Sequence, residues 1–341
     1  MAGASSGRSP PPDCCMPVKW HSRQKHEFLG ELFSVWTDHV GRRPGVNPPS
    51  LEIVDLFAGS GWCRPDRFLE PGVDPTPWPG TALLAARTLS RYARPKRLVL
   101  NSFDPRQPEN HAGMECLRKA VQDQLGEPSP FPVDYLSNEA TLAVREAARL
   151  VDPKYPSFWI LDPYSAQGLP WSLVESIIQL KGEYTDKRGR PVVRRPEIVV
   201  TLMTEGLQRN VDNSPESISS TLGMPEPEWR PLFDEFLSQG ANTRQALVYL
   251  FTEKLRGFYH QIPVAVEVPG SAGNVVYVVI YCSSSDAGIF MGHVWAKPRF
   301  SEWQREIWRP QAKRIDKNKR IRRSEGERAT LQRGLDDFPG R

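Results

Sequence analysis

Hydrophobic positions along the chain change period several times, and each change marks an element. In residues 26–40, Phe28, Leu32, Val35, Trp36 and His39 recur three to four residues apart. That spacing predicts an amphipathic helix, ended by Gly41 and Pro44. Next, Glu52–Phe57 is a short apolar run that stops at Gly59 and Gly61. Strands are predicted over Arg97–Phe103, Val133–Leu136, Ser157–Leu161 and Glu197–Met203. Helices are predicted over Thr81–Tyr92, Gly113–Leu125, Glu139–Val151 and Pro170–Leu180. Pro170 falls in a first turn, where its missing N–H costs nothing. Strands alternating with helices imply βαβ units and a parallel sheet. Residues 205–260 read as mostly helical. Two β-branched runs around a Gly-rich turn at 269–273 then read as an antiparallel hairpin. The expected architecture is α/β: a doubly wound, Rossmann-like, mostly parallel sheet with a C-terminal antiparallel hairpin and a helical insertion.

Composition refines this picture. The 341 residues include 33 prolines and 39% hydrophobic residues, enough apolar material for one enlarged core. Residues 1–19 are rich in Pro, Ser and Gly without periodicity and read as a disordered tail. The folded domain is expected over 20–300, with a basic tail over 301–341. Residues 309–333 carry ten Lys/Arg against three acids, a net +7, so the total of +4 leaves the rest at −3. The longest apolar run, Val275–Cys282, has eight residues, too few to cross a bilayer, so no membrane association is expected. The N-terminus has no apolar h-region, so no secretory signal is expected. Five cysteines with no CxxC spacing support neither a disulfide framework nor a cysteine zinc site. A reducing, cytoplasmic setting is the expectation.

The richest chemistry lies in Ile53-Val-Asp-Leu-Phe-Ala-Gly-Ser-Gly61. In a doubly wound sheet, ligands bind at the carboxyl ends of the strands where the strand order reverses. Glycines there let the backbone approach a ligand. Arg64 stands where a dinucleotide fingerprint would place its third glycine, which weakens a nicotinamide reading. Five parallel-type strands closed by one hairpin resemble the element order of class I S-adenosylmethionine-dependent methyltransferases. That cofactor would lie over Gly59–Gly61, with Phe57 and Ala58 in the same loop. Asp55 would accept a hydrogen bond from a ligand amine or orient the loop. Asp104, at the second strand end, would hold a ribose diol or cap the turn before Pro105. Asn138 would meet an adenine edge or cap the following helix, the cap being favoured. A Gly-rich turn with no ligand is the other reading of the loop. Asp162-Pro-Tyr-Ser165 closes the fourth strand, and Asp162 and Tyr164 are the candidate catalytic residues. The motif has one proline where amino-methylating enzymes carry two, which weakens a base-methylation reading. No cysteine follows a proline, so carbon-5 cytosine methylation lacks its usual nucleophile.

With these residues placed, the chain resembles the three-Cys-motif partner (TcmP) family. The resemblance rests on Lys25-His26-Glu27 with Trp36, and on Asp55-Leu-Phe-Ala-Gly-Ser-Gly61 followed by Pro79-Gly-Thr-Ala-Leu-Leu84. It rests also on Leu161-Asp-Pro-Tyr-Ser-Ala-Gln-Gly-Leu-Pro170. Weaker echoes are Glu197 with Arg209, Gly223 to Trp229, and the hairpin with Trp295. Tyr164-Ser165 replaces the family's Phe-Gly, and Thr81-Ala82 its Ser-Pro. The resemblance implies a class I methyltransferase-like fold and a partner protein bearing a three-cysteine motif.

The histidines at 26, 39, 111, 260 and 293 have no mutual metal-ligand spacing, so no metal is expected. Trp303 and Trp308 precede the basic tail, and aromatic with basic residues suits nucleic acid. A solvated tail explains the same residues. The expected function is therefore a methyltransferase-like protein of unknown acceptor. The alternative is a non-catalytic or nucleic-acid-binding partner that keeps the fold, with base methylation as one variant.

Overall fold

The computed structural model describes residues 10–41, 50–66, 74–92, 96–104, 112–185, 189, 191–259, 263–270, 274–284, 288, 292 and 295–296. The basic segment 309–333, Trp303, Trp308, Pro44, His111, His260 and His293 lie outside the described residues.

In chain order, β1 (Cys15–Val18) is followed by α1 (His21–Gly41), β2 (Leu51–Asp55), β3 (Trp62–Pro65), β4 (Trp78–Pro79) and α2 (Thr81–Ser90). Then come β5 (Lys96–Asn101), α3 (Ala112–Leu125), β6 (Val133–Leu136), α4 (Ala140–Leu150), β7 (Ser157–Leu161) and α5 (Trp171–Ile178). A small hairpin, β8 (Gly182–Thr185) and β9 (Pro191–Arg194), leads to β10 (Glu197–Leu202). The helices α6 (Thr204–Asn213), α7 (Pro215–Leu222), α8 (Glu226–Ser238) and α9 (Thr243–Tyr259) precede β11 (Val264–Pro269) and β12 (Val275–Cys282).

Seven strands form the main sheet in the order β11-β12-β10-β7-β2-β5-β6. Strands β6, β5, β2, β7 and β10 run parallel, while β12 runs antiparallel to both β10 and β11. Counted along the chain, the parallel strands stand in the order 3-2-1-4-5, the doubly wound arrangement. Crossovers through α2 and α3 advance toward β6, and those through α4 and α5 toward β11. Right-handed crossovers in both directions put the two helix pairs on opposite faces. Within each pair the helices pack on one another. All five residues of β2 and of β7 are buried. This is why both read as continuous apolar runs rather than as alternation.

On α1 the buried seam is Leu29, Leu32, Phe33, Trp36 and Val40. Phe28 and Val35, expected on that seam, are only partly buried at its flanks. Phe33 and Trp36 meet Phe158 of β7 edge to face, with centroids 5.4 and 5.2 Å apart, so α1 is clamped to the centre of the sheet. The helical insertion packs through α6 and α9 onto β12. Tyr259 on α9 also donates from its hydroxyl to the Pro196 carbonyl at 2.8 Å.

The expected disorder of residues 1–19 needs correction within the described part. Cys15–Val18 pairs in parallel with Trp62–Pro65, and Cys14 is joined by a disulfide to Cys116 on α3. Long-range partners order a segment whose composition gives no local reason for order. The same bond corrects the expectation of no disulfide, since these two cysteines stand 102 residues apart. In the described residues no helix is long and apolar enough to cross a membrane.

Candidate functional site at the carboxyl ends of the strands

β2 ends at Asp55, which is fully buried. Its Oδ1 accepts the Phe57 N–H at 3.0 Å, and its Oδ2 accepts the Thr81 hydroxyl at the start of α2. Burial pushes the carboxyl pKa up to about 7, against the opposing effect of those two bonds. With both oxygens engaged inside the fold, Asp55 orients the loop. Of its two expected roles, this is the one the geometry supports.

The loop turns through two left-handed glycines, Gly59 at φ +58° and Gly61 at φ +87°, where a side chain would be strained. Gly61 leaves no room either. A Cβ there would lie 3.2 Å from the Ala120 Cβ and 3.3 Å from Leu117, so the loop rests on α3. The Gly61 carbonyl accepts the Gly80 N–H at 2.8 Å, which ties the loop to the start of α2. A Cβ on Gly59 would meet the Tyr164 hydroxyl at 3.2 Å and the Met16 Cε at 3.3 Å. Both are far ends of side chains, not backbone.

Asn101, at the end of β5, holds three strand ends together. Its amide donates to the carbonyls of Leu56 and Asn138, both at 3.0 Å. Its Oδ1 accepts the Asn138 N–H at 3.1 Å, and its own carbonyl accepts the Ala58 N–H at 2.9 Å. The Asn138 side chain donates to Glu146 Oε2 at 3.0 Å and makes no cap to α4. The favoured capping role is thus corrected: α4 begins with Glu139 at its N-cap, and the Asn138 amide reaches past it. Asp104 follows β5 on the same side of the sheet, near enough for its charge to act on Tyr164.

Across the switch point, β7 delivers Asp162 and Tyr164. Phe57 and Tyr164 meet edge to face at 6.3 Å. The Tyr164 residue is 45% exposed, but its hydroxyl turns inward over Gly59. Burial of that hydroxyl, reinforced by the charge on Asp55, raises its pKa well above the ordinary phenol value.

Asp162 is buried in an ion pair. Lys25 Nζ lies 2.7 Å from Oδ1, each side chain being 8% exposed. His26 Nε2 faces Oδ2 at 3.8 Å, a longer electrostatic contact. The Trp78 indole N–H donates to His26 Nδ1 at 3.0 Å, so the imidazole proton belongs on Nε2, toward Asp162. Burial lowers the His26 pKa, with Lys25 adding to the effect. Burial alone would raise Asp162, but the Lys25 ammonium, supported by His26, holds it well below the usual carboxylate range. Burial alone would likewise lower Lys25, but Asp162 keeps it raised. Lys25 also sits 5.0 Å from the Tyr277 ring centroid, and that hydroxyl meets His21 Nε2 at 3.0 Å. A carboxylate so held keeps its charge near neutrality. Of the two roles open to a carboxylate at this place, orienting a nucleophile or accepting its proton, the second is disfavoured on physical grounds.

The structure thus brings Asp55, Phe57, Ala58, Gly59 and Gly61 together with Asp162 and Tyr164, and ties Asn138 to them through Asn101. Asn101, Thr81, Met16 and Tyr277 carry no sequence pattern that points to a role here. Lys25 and His26 stand out in the sequence only as part of a motif. The one signal for that pair was two polar residues in sequence at the start of an amphipathic helix.

A cavity of about 410 Å³ lies at the opposite, amino-terminal ends of β2 and β5. Its cations are engaged within the fold. Arg97 pairs with Asp134, and Lys96 donates to the Leu89 and Tyr92 carbonyls. Among the described residues, no group of three or more His, Cys, Asp or Glu side chains gathers as a metal-ligand set.

No family model matches the chain, and no curated protein matches it. Among solved structures it is similar to protein LPL1258 from Legionella pneumophila str. Philadelphia 1, of the family model DUF519. The TM-score is 0.39 and the identity 11%, over 82% of this chain and 92% of that one.

Proposed function

We propose that this chain binds S-adenosylmethionine at the Gly59–Gly61 loop and is a methyltransferase of the class I type. The observation that carries the reading is the sheet. Its parallel strands follow the order 3-2-1-4-5, and the place of a sixth parallel strand is taken by antiparallel β12. The residues present fit the cofactor. The atoms nearest a Cβ built on Gly59 are the tips of two side chains, one of them a flexible methionine. Phe57, Ala58 and Gly59 would line the cofactor, Asp104 would hold its ribose hydroxyls, and Asn138 would lie near its base. The cofactor supplies an electrophilic methyl group on a sulfonium. Asp55 keeps the loop in shape, and Tyr164 and Asp162 stand on the side from which an acceptor would approach. Positioning dominates such a transfer, because the leaving group needs no acid. A paired Asp162 suits that demand by fixing a charge without exchanging a proton.

One observation favours a second reading. Both Asp162 oxygens already face cations or donors within the fold. A non-catalytic protein that keeps the fold and acts beside a partner, as the resemblance to the three-Cys-motif partner family implies, would need no free acceptor there.

Isothermal calorimetry with S-adenosylmethionine and its demethylated product tests the first reading, under oxidising and under reducing conditions. Binding is expected, and Asp104→Ala should weaken it by roughly 10–100-fold, the worth of hydrogen bonds to a charged group. No binding at millimolar ligand in either condition overturns the reading.

A further inference from the structure

The approach to Gly59 is covered by the chain's own N-terminal segment. Cys14 is bonded to Cys116 on α3, with Cα atoms 5.2 Å apart. The next four residues lie along β3, with Met16 opposite Cys63. Beyond them, the Val18 carbonyl accepts the Asp66 N–H at 2.9 Å. Between these two fastenings, the Met16 thioether reaches over the loop. Its Cε and Sδ lie 3.3 and 3.5 Å from where a Cβ on Gly59 would be. The same helix that holds Cys116 carries Leu117 and Ala120, which support Gly61. One covalent bond therefore joins segment and helix, and the loop packs against both.

The non-covalent part of this fastening is short. β1 pairs with β3 over four residues, in a three-stranded sheet to which β4 contributes two. The redox chemistry is also confined to one place. Cys15, Cys63 and Cys282 are buried free thiols, each with its pKa raised by burial, which leaves them poorly nucleophilic. Cys14 and Cys116 are only half-buried, open to a reductant.

We propose that residues 10–18 form a strap across the Gly59–Gly61 loop, latched by the Cys14–Cys116 disulfide, and that a dithiol reductant opens it. A thiolate of the reductant attacks one sulfur of the pair, giving a mixed disulfide and releasing the other cysteine as thiolate. The reductant's second thiol then displaces the remaining cysteine. The protein's S–S bond is broken and two electrons and two protons convert it to two thiols, while the dithiol is oxidised to its disulfide. Met16 then leaves Gly59, and the loop is uncovered on that side, with the Tyr164 hydroxyl still facing it. The ligand admitted rests on the cofactor reading above, but the opening itself does not.

Hydrogen exchange read by mass spectrometry on the full chain tests the latch without any ligand. Dithiothreitol, or the double variant Cys14→Ser/Cys116→Ser, should speed exchange at least ten-fold at residues 15–18 and at 57–62, while β7 and β10 stay protected. Oxidised Met16→Ala should expose 57–62 while 15–18 remain protected. Three outcomes overturn the proposal: unchanged exchange at 15–18, release of 15–18 with no change at 57–62, or loss of protection throughout the sheet. Stopped-flow binding of S-adenosylmethionine is then expected to be faster for the reduced protein. If the strap opens but S-adenosylmethionine binds in neither state, the latch stands and the cofactor reading falls.

Discussion

Replacing Lys25 with methionine separates a paired charge from a stranded one. The ammonium lies 2.7 Å from the Asp162 carboxylate. At an effective dielectric constant near 20, such a contact is worth roughly 6 kcal/mol of attraction. Removing the two ions from water costs several kcal/mol each, so the intact pair contributes little net stability. Lys25→Met keeps most of the side-chain volume but leaves Asp162 buried and uncompensated, a loss of about 3–5 kcal/mol. In a domain of this size that is a fall in Tm of roughly 10 °C. Urea unfolding at pH 7 measures it, and Lys25→Met/Asp162→Asn should recover at least half, since the stranded charge is gone. The pH dependence adds a second check. In the parent, Asp162 is held low, so its contribution is complete above the unfolded value of about 3.9 and is lost only as pH falls further. In Lys25→Met burial prevails and the carboxyl pKa rises above that value. Its contribution is then present in acid and is lost as pH rises. The gap between parent and variant should therefore shrink from pH 7 to pH 4.5. A loss below about 1 kcal/mol at pH 7, or a gap that widens in acid, refutes the reasoning.

Two further expectations concern the frame around the site. Glu52 is buried, accepts the Asp152 N–H with both oxygens, and has its pKa pushed by burial up to about 7. A raised carboxyl favours the folded state below the unfolded value and loses that advantage as pH rises toward 7. Glu52→Gln should therefore flatten the fall in stability between pH 5 and pH 8 by about 2 kcal/mol; identical slopes in urea titrations would count against it. Gly223 ends α7 at φ +60°, and a Cβ there would lie 2.4 Å from the Trp171 ring. Gly223→Ala should cost about 2–5 kcal/mol, from left-handed strain plus overpacking. Gly240→Ala, left-handed but facing open space, should cost about 1–2 kcal/mol. Thermal melts that rank the two the other way would contradict the packing.

The central sheet was legible because its signal is local. Val133–Leu136 and Ser157–Leu161 have the boundaries that their apolar runs predict, and the turn after Asp55 announces itself by two glycines. What stayed hidden depends on distant partners. β1, β3 and β4 are four residues or fewer, each contains or adjoins proline, and Cys15 finds Trp62 only in the folded chain. The Cys14–Cys116 pairing spans 102 residues, and no spacing rule identifies it. Helical periodicity sorts apolar positions, but it says nothing of Lys25, a polar residue buried on α1 because Asp162 waits 137 residues away. Asn101 reads as an ordinary strand end until the three strand ends it joins are seen side by side.

β3 and β4 close on each other at one point. Trp62 stands opposite Pro79, Cys63 opposite Trp78, and Gly61 accepts the Gly80 N–H. The distance from Asp55 to Thr81 is thus set by a zipped neck and not by the length of chain beyond it. Lengthening a loop whose ends are already joined costs little. The exposed residues 74–76 are accordingly a place where the chain can gain or lose sequence, or accept a reporter peptide, with the Gly59–Gly61 loop left in register.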